Sequence, residues 1–350
     1  MSKLAVVLFN LGGPDRPEAV KPFLFNLFSD PAIIGLPNPF RWLLAKLIST
    51  RRAPVAREIY ANIGGKSPLL ELTRAQAAAL EAALAGDREV KVFVAMRYWH
   101  PMSDRTAAEV AAWGPDEVVL LPLYPQFSTT TVESSVKDWR RAATKAGLAA
   151  PTRTVCCYPT QSGWIKAQAD LLSEALAGFD GGRRPRVLFS AHGLPKKVIT
   201  GGDPYQWQVE QTSEAVVRAL PSTQRDGLDW LVCYQSRVGP LEWIGPSTED
   251  EIVRGGADKV PLIVVPVAFV SEHSETLVEL DIEYRELADE RGVPEYVRVP
   301  AVGIAAPFIA GLAEMVDLAL SRADGSLCSQ NGSRICPSGF RRCPHNGGAD

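Results

Sequence analysis

VLFSAHGLPKKV at 187–198 and VVPVAFVSEHSETLVELDIEY at 264–284 decide how this chain of 350 residues is read. Each opens as a run of apolar, largely β-branched residues and breaks into a polar loop that presents a histidine, His192 in one and His273 in the other. Short apolar runs bounded by Gly and Pro read as buried strands. A histidine just past the C-terminal end of such a strand stands where open α/β sheets place their ligands. The chain holds only four histidines, so two in equivalent places is a signal. Around the second lie Glu272, Glu275, Glu279 and Glu283, spaced three, four and four. On an α-helix that spacing lines one face.

Working outward, runs of the same kind occur at 4–9, 91–96, 117–122, 153–157, 186–190, 229–234, 261–267 and 296–300. Helical patterns separate most of them, among them TRAQAAALEAALAG at 73–86 and AQADLLSEALAG at 167–178. Strands alternating with helices predict an α/β fold with mostly parallel, doubly covered sheets. A faint repeat predicts two similar halves: VVLFNLGGP at 6–14 matches RVLFSAHGLP at 186–195, and VVLLPLYPQFS at 118–128 matches IVVPVAFVSEHS at 263–274. The expected division is 1–150, 151–320 and a cysteine-bearing extension at 321–350.

Composition narrows the function classes. A formal charge of −3 without a dense Lys/Arg cluster argues against nucleic-acid partners. The N-terminus runs straight into a strand without a signal or transit pattern, and no long uncharged apolar run exists, so a cytoplasmic protein without a membrane span is expected. GGKSP at 64–68 is not a phosphate loop, because Tyr60 stands where a Walker-type glycine is needed, and no GxGxxG follows a strand. PFLFNLFSDPAIIGLPNPFRWLLAKLIST at 22–50 is apolar and interrupted by proline. It reads either as core helix and covered loop or as an apolar lip that rests on a membrane surface.

Several residues carry chemistry. His192 sits in Ser-Ala-His-Gly-Leu-Pro, where Gly193 allows close backbone approach and imidazole can take a proton or bind a metal near neutrality. His273 with Glu272, Glu275 and Glu279 suits a first-row divalent metal in transit or a proton relay; the bland reading is a solvated helix face. MRYWHP at 96–101 and CYQSRVGPLEWIGP at 233–246 put Arg97, Tyr98, Gln235, Ser236, Arg237 and Trp243 at two more strand exits. Arginines among aromatics suit a flat, apolar ligand with carboxylates.

In that order, LFNLGGP, RRAP…IGGKSP, RYWHP, LYPQFS, LFSAHGLP, CYQSRVGP and PVAFVSEHSETLVELDIEY resemble ferrochelatase, the enzyme that inserts ferrous iron into a porphyrin, across roughly residues 4–320. The resemblance implies two pseudo-symmetric doubly wound halves with a cleft between them. It implies that His192 is the catalytic histidine and Glu275 its partner acid, both candidate ligands of the iron, with Glu272, His273 and Glu279 forming a path for metal or protons. Leu11, Arg97, Tyr98, Ser128 and Trp243 match positions lining the porphyrin pocket. Protoporphyrin IX is the expected substrate, with peripheral association at the inner face of the cytoplasmic membrane. Coproporphyrin III, another tetrapyrrole or metal, a non-catalytic haem or metal carrier, and a homodimer stay open.

Six cysteines remain to be placed: Cys156, Cys157, Cys233, Cys328, Cys336 and Cys343. A reducing compartment favours thiols or metal ligands over disulfides. Some members of the family resembled hold a [2Fe–2S] cluster on three cysteines of a C-terminal extension plus one internal cysteine. Thr129 occupies the internal ligand position of the animal enzymes. The expected set is therefore Cys328, Cys336, Cys343 and either Cys156 or Cys157, strand alternation allowing only one of that pair to face the tail. A structureless tail with free thiols and a structural zinc site are the alternatives.

Overall fold

A computed structural model describes residues 2–179, 184–237 and 241–347, so Val238–Pro240 of the CYQSRVGP patch lie outside the described residues. Among the described residues nine strands are present: β1 (Lys3–Asn10), β2 (Glu89–Met96), β3 (Glu117–Pro122), β4 (Thr152–Cys157), β5 (Arg186–His192), β6 (Asp229–Gln235), β7 (Leu262–Pro266), β8 (Tyr296–Arg298) and β9 (Leu327–Ser329). They form two sheets, ordered β2-β1-β3-β4-β9 and β6-β5-β7-β8, with every pair parallel. The first four strands of each half share one order, which is the physical content of the sequence repeat. The repeat's first pair of segments lies on β1 and β5, and its second pair on β3 and β7. Central strands such as β1 and β5 are buried almost throughout, as continuous apolar runs require when helices cover both faces.

The chain divides into two compact units, Met1–Cys157 with Leu312–Ile335 and Tyr158–Gly311 with Cys336–Asp350. The boundaries expected at 150/151 and 320/321 differ from this for two reasons. β4 pairs with β3 and belongs to the first sheet, and the tail contributes β9 to the outer side of β4, with Val155 opposite Cys328. The tail lacks periodicity because it is mostly turns around one short strand.

Within the first unit, the segment 22–50 is two helices, α1 (Val20–Ser29) and α2 (Phe40–Ala61), broken where Pro31, Pro37 and Pro39 follow Asp30. α2 packs through small residues, Ala45, Ser49 and Ala53, with Tyr60 two turns further on. Its other side leaves Phe40 63% and Leu43 55% exposed, and Trp42, edge-on to Phe25, is 46% exposed beside the packed stripe. Phe23 and Leu24 of α1 are core, as the first reading expected, whereas α2 leaves apolar side chains at the surface. Among the described residues no helix is long and apolar enough to cross a membrane.

In the second unit the strand order reverses direction between β5 and β7. That switch point, at the carboxyl ends of parallel strands, is where doubly wound sheets bind ligands. His192 ends β5, and the segment after β7 carries His273 and the acids.

Candidate active site

Four neighbours fix His192. Its carbonyl accepts a bond from the Tyr205 hydroxyl at 3.1 Å, and Gln235 lies beside it in register on β6. The next residue, Gly193, donates its N–H to the Gln235 carbonyl at 2.9 Å. A Cβ at 193 would sit 2.9 Å from that oxygen and 3.3 Å from the Trp243 ring, so glycine lets the chain turn out here. Two antiparallel backbone bonds, Lys196 N–H to the Glu242 carbonyl and Ile244 N–H to the Leu194 carbonyl, hold Trp243 alongside.

The His192 Nδ1 lies 2.8 Å from Glu275 Oε2. A carboxylate only accepts, so the proton of the neutral ring is on Nδ1 and the Nε2 lone pair is available. Among the described residues Nε2 has no partner, and the side chain is 39% exposed. Burial opposes a charge on His192, but the Glu275 carboxylate, with Glu279 behind it, outweighs burial and raises the imidazole above its ordinary range. Burial alone would lift Glu275; the imidazolium beside it instead holds its carboxyl well below the usual carboxylate range. His273 is different. Its Nδ1 accepts the Glu275 N–H at 3.0 Å, so its proton sits on Nε2, and burial keeps it neutral by lowering its pKa.

Glu279 is met only by uncharged donors: Ser236 N–H at 2.8 Å, Ser236 Oγ at 2.5 Å, Gln235 Nε2 at 3.0 Å and Tyr284 OH at 3.0 Å. Ser236 turns both its amide and its hydroxyl onto this carboxylate from a left-handed backbone, φ 62°, a conformation unusual for serine and concentrated at functional sites. Burial, then the Glu275 charge, push Glu279 above the usual range, so it takes a proton more readily than Glu272 or Glu275, which are both lowered.

The acid row departs from the expected α-helical face. Glu275–Glu283 is a π-helix, whose i→i+5 bonds give a wider turn, and Glu272 precedes it. Glu283 is exposed. Glu272 accepts from Arg298 Nη1 at 2.6 Å and Ala301 N–H at 2.9 Å through one oxygen, and from the Thr276 hydroxyl through the other. Both of its oxygens are therefore engaged, and its charge is matched by Arg298. Glu275 and Glu279 are the acids that stay with His192.

The first unit holds the other expected residues. Leu11 is partly exposed and packs against the apolar cluster that contains Phe23, Tyr98 and Trp99. Arg97 and Tyr98 converge on a residue the sequence did not flag, Asp30 at the end of α1. Its Oδ2 takes Arg97 Nη2 and Tyr98 OH, both at 2.8 Å, and the Ser134 hydroxyl. These bonds pin the start of the loop between α1 and α2 to the exit of β2. Ser128 is fully buried, its hydroxyl 2.9 Å from that of Thr130.

All six cysteines are buried thiols. In the first unit the ladder between β4 and β9 is irregular between Val155 and Cys157, and the Cys156 and Cys157 sulfurs approach to 3.4 Å. The bulge suspends the alternation that would have sent the two to opposite faces. Burial raises the pKa of the Cys328 thiol, and Cys157 adds a smaller contribution in the same direction. In the second unit Gln208 Nε2 lies 3.1 Å from Cys336 Sγ, a donor suited to a thiolate. Among the described residues no three His, Cys, Asp or Glu side chains are grouped to hold a metal ion.

The chain matches the family model described as Ferrochelatase over residues 3–320. A ferrochelatase of Caulobacter vibrioides (strain NA1000 / CB15N) is 56% identical over 350 residues, covering 99% of each chain, and one of Pelagibacter ubique is 49% identical over 348 residues, covering 98% of each. Among solved structures, SirB from Bacillus subtilis with Fe3+ superposes with a TM-score of 0.55 at 11% identity, over 93% of this chain and 99% of that one. At that identity the likeness speaks for the chelatase-type fold alone.

Proposed function

The chain belongs to the ferrochelatase family, and on that premise we propose that it inserts ferrous iron into protoporphyrin IX to form haem, with His192 as the group that takes the pyrrole protons. Insertion exchanges two N–H protons of the ring for one Fe²⁺, and the nitrogen lone pairs become the bonds to the metal. The observation that carries the reading is the 2.8 Å bond between His192 Nδ1 and Glu275, which orients the ring and leaves Nε2 as the acceptor. Glu275 stabilises the imidazolium that forms. Glu279, with its raised pKa, is the next station for a departing proton. Trp243, held beside His192, offers a partly exposed apolar face to the macrocycle. Arg97 and Tyr98, already bound to Asp30, act by holding the loop after α1 rather than by reaching the ring. An anaerobic assay with Fe²⁺ and protoporphyrin IX, followed by haem absorbance, tests the reading. A higher kcat/KM with coproporphyrin III would change the substrate, and no insertion with any porphyrin would leave the carrier reading.

We propose further that Cys328, Cys336, Cys343 and Cys157 hold a [2Fe–2S] cluster. Buried thiols without disulfides are the soft donors such a cluster takes, and the neighbourhood of Cys157 and Cys328 favours Cys157 over Cys156. The cluster would supply one-electron chemistry and tie down a tail that has little periodic structure of its own. The expected result is a red-brown protein when purified anaerobically, with Cys336→Ser and Cys157→Ser colourless and Cys156→Ser coloured. Wild type free of iron and sulfide would remove the cluster.

The exposed side of α2 supports peripheral attachment to a lipid surface. Phe40, Trp42, Leu43 and Leu47 stand among exposed Lys46, Arg51 and Arg52, the composition of an interfacial helix on anionic lipid. Phe40→Glu with Leu43→Glu should release the protein from vesicles containing anionic lipid. Unchanged sedimentation with vesicles would overturn this, and a loss of self-association instead would assign the face to a second copy.

A further inference from the structure

We propose that Arg298 is a positioning residue that sets the register of the π-helix, so that Glu275 meets His192 and Glu279 meets Ser236. Arg298 ends β8, the strand on the far side of β7 from β5, and its side chain is 9% exposed. Its guanidinium spans two acids that bracket the catalytic pair. Nη1 holds Glu272, just before the helix, at 2.6 Å; Nε holds Asp281 Oδ1, late in the helix, at 2.8 Å, and Nη2 takes the other oxygen of Asp281. The Asp281 contact is bidentate, the geometry that only a planar fork supplies.

A second residue on the same face of β8 acts in the same sense. Tyr296, two positions earlier, donates its hydroxyl to the Leu280 carbonyl of the helix at 2.8 Å. β8 therefore grips the helix at Leu280 and Asp281 and the segment leading into it at Glu272, while β5 grips it through His192 on Glu275. The wide i→i+5 turn is uncommon and needs support from outside the helix. Relaxation to an α-helix would rotate Glu279 relative to Glu275 and break one of the two contacts that face the site. Arg298 reaches neither His192 nor its proton, so its effect passes through Glu272 and Asp281.

The inference rests on the ferrochelatase reading for its kinetic test, and amide exchange tests the clamp by itself. In Arg298→Met, kcat for iron insertion should fall on the order of 10²-fold, the scale of a misplacement of about 1 Å, while the porphyrin KM stays within about twofold. Arg298→Lys, which keeps the charge but not the fork, should recover only part of the loss. Amides of 275–283 should exchange faster than in the unaltered protein, with those of β5 and β6 unchanged. Because Arg298→Met leaves two uncompensated acids, the variant Arg298→Met/Glu272→Gln/Asp281→Asn separates stability from positioning. It should regain thermal stability without regaining kcat. Wild-type kcat in Arg298→Met, or full recovery of kcat in the triple variant, would overturn the proposal. If the unaltered protein inserts no iron, the functional reading fails, and unchanged exchange in 275–283 would then sink the clamp separately.

Discussion

His192→Ala removes iron insertion, lowering kcat by about 10³-fold or more, within the range of roughly 10²–10⁴-fold that a positioned general base contributes. The side chain is the one at the end of β5 whose unprotonated nitrogen is both held in place and accessible. His273 cannot replace it, because its Nδ1 is taken by the Glu275 amide and its Nε2 carries the proton. The fold should persist. The backbone at 192 is fixed by the Tyr205 hydroxyl and the β6 ladder, neither of which needs the imidazole. The measurement is steady-state insertion with unfolding monitored in parallel. A variant folded like wild type and within about threefold of its rate would take His192 out of the mechanism.

Glu275→Gln should cost about 10²-fold in kcat and also move the pH dependence, which makes it the more diagnostic variant. His192 must be neutral to accept a pyrrole proton, so kcat/KM rises with pH through its pKa. In the unaltered protein that pKa is raised, because the Glu275 charge outweighs burial. With the charge removed, burial prevails and lowers it. The acid limb of kcat/KM therefore shifts to lower pH as the plateau falls, and activity relative to wild type is least depressed under acidic conditions. An acid limb that stays in place or moves upward would show that Glu275 does not control His192.

The doubly wound order was legible because each central strand is an uninterrupted apolar run and the two halves repeat it. His192 and Glu275 could each be picked out, one as a strand-exit histidine and one as a helical acid. That they meet at 2.8 Å, through Nδ1, could not be read, since contact across 83 positions depends on where β7 delivers the helix. The expected acid face failed at both ends for local reasons. Glu272 precedes the helix and is claimed by Arg298, and Glu283 turns to solvent. Nothing in EVKVFVAM or YVR predicts which edge strand will carry a clamp. Asp30, too, looks in sequence like a residue chosen to stop a helix before proline, and only packing reveals it as the acceptor shared by Arg97, Tyr98 and Ser134.

β9 closes the first sheet with residues made long after the rest of it. On the ribosome, β4 must wait through roughly 170 residues for its outer neighbour, on the order of ten to thirty seconds at ordinary elongation speeds. Throughout that interval β4 is an open edge, with Cys156 and Cys157 on a strand that invites pairing by any extended segment. The whole second unit up to Gly311 emerges in the meantime. A nascent chain stalled before Leu327 is thus more prone to aggregation than its nearly complete length suggests, and late truncations should damage the N-terminal sheet first.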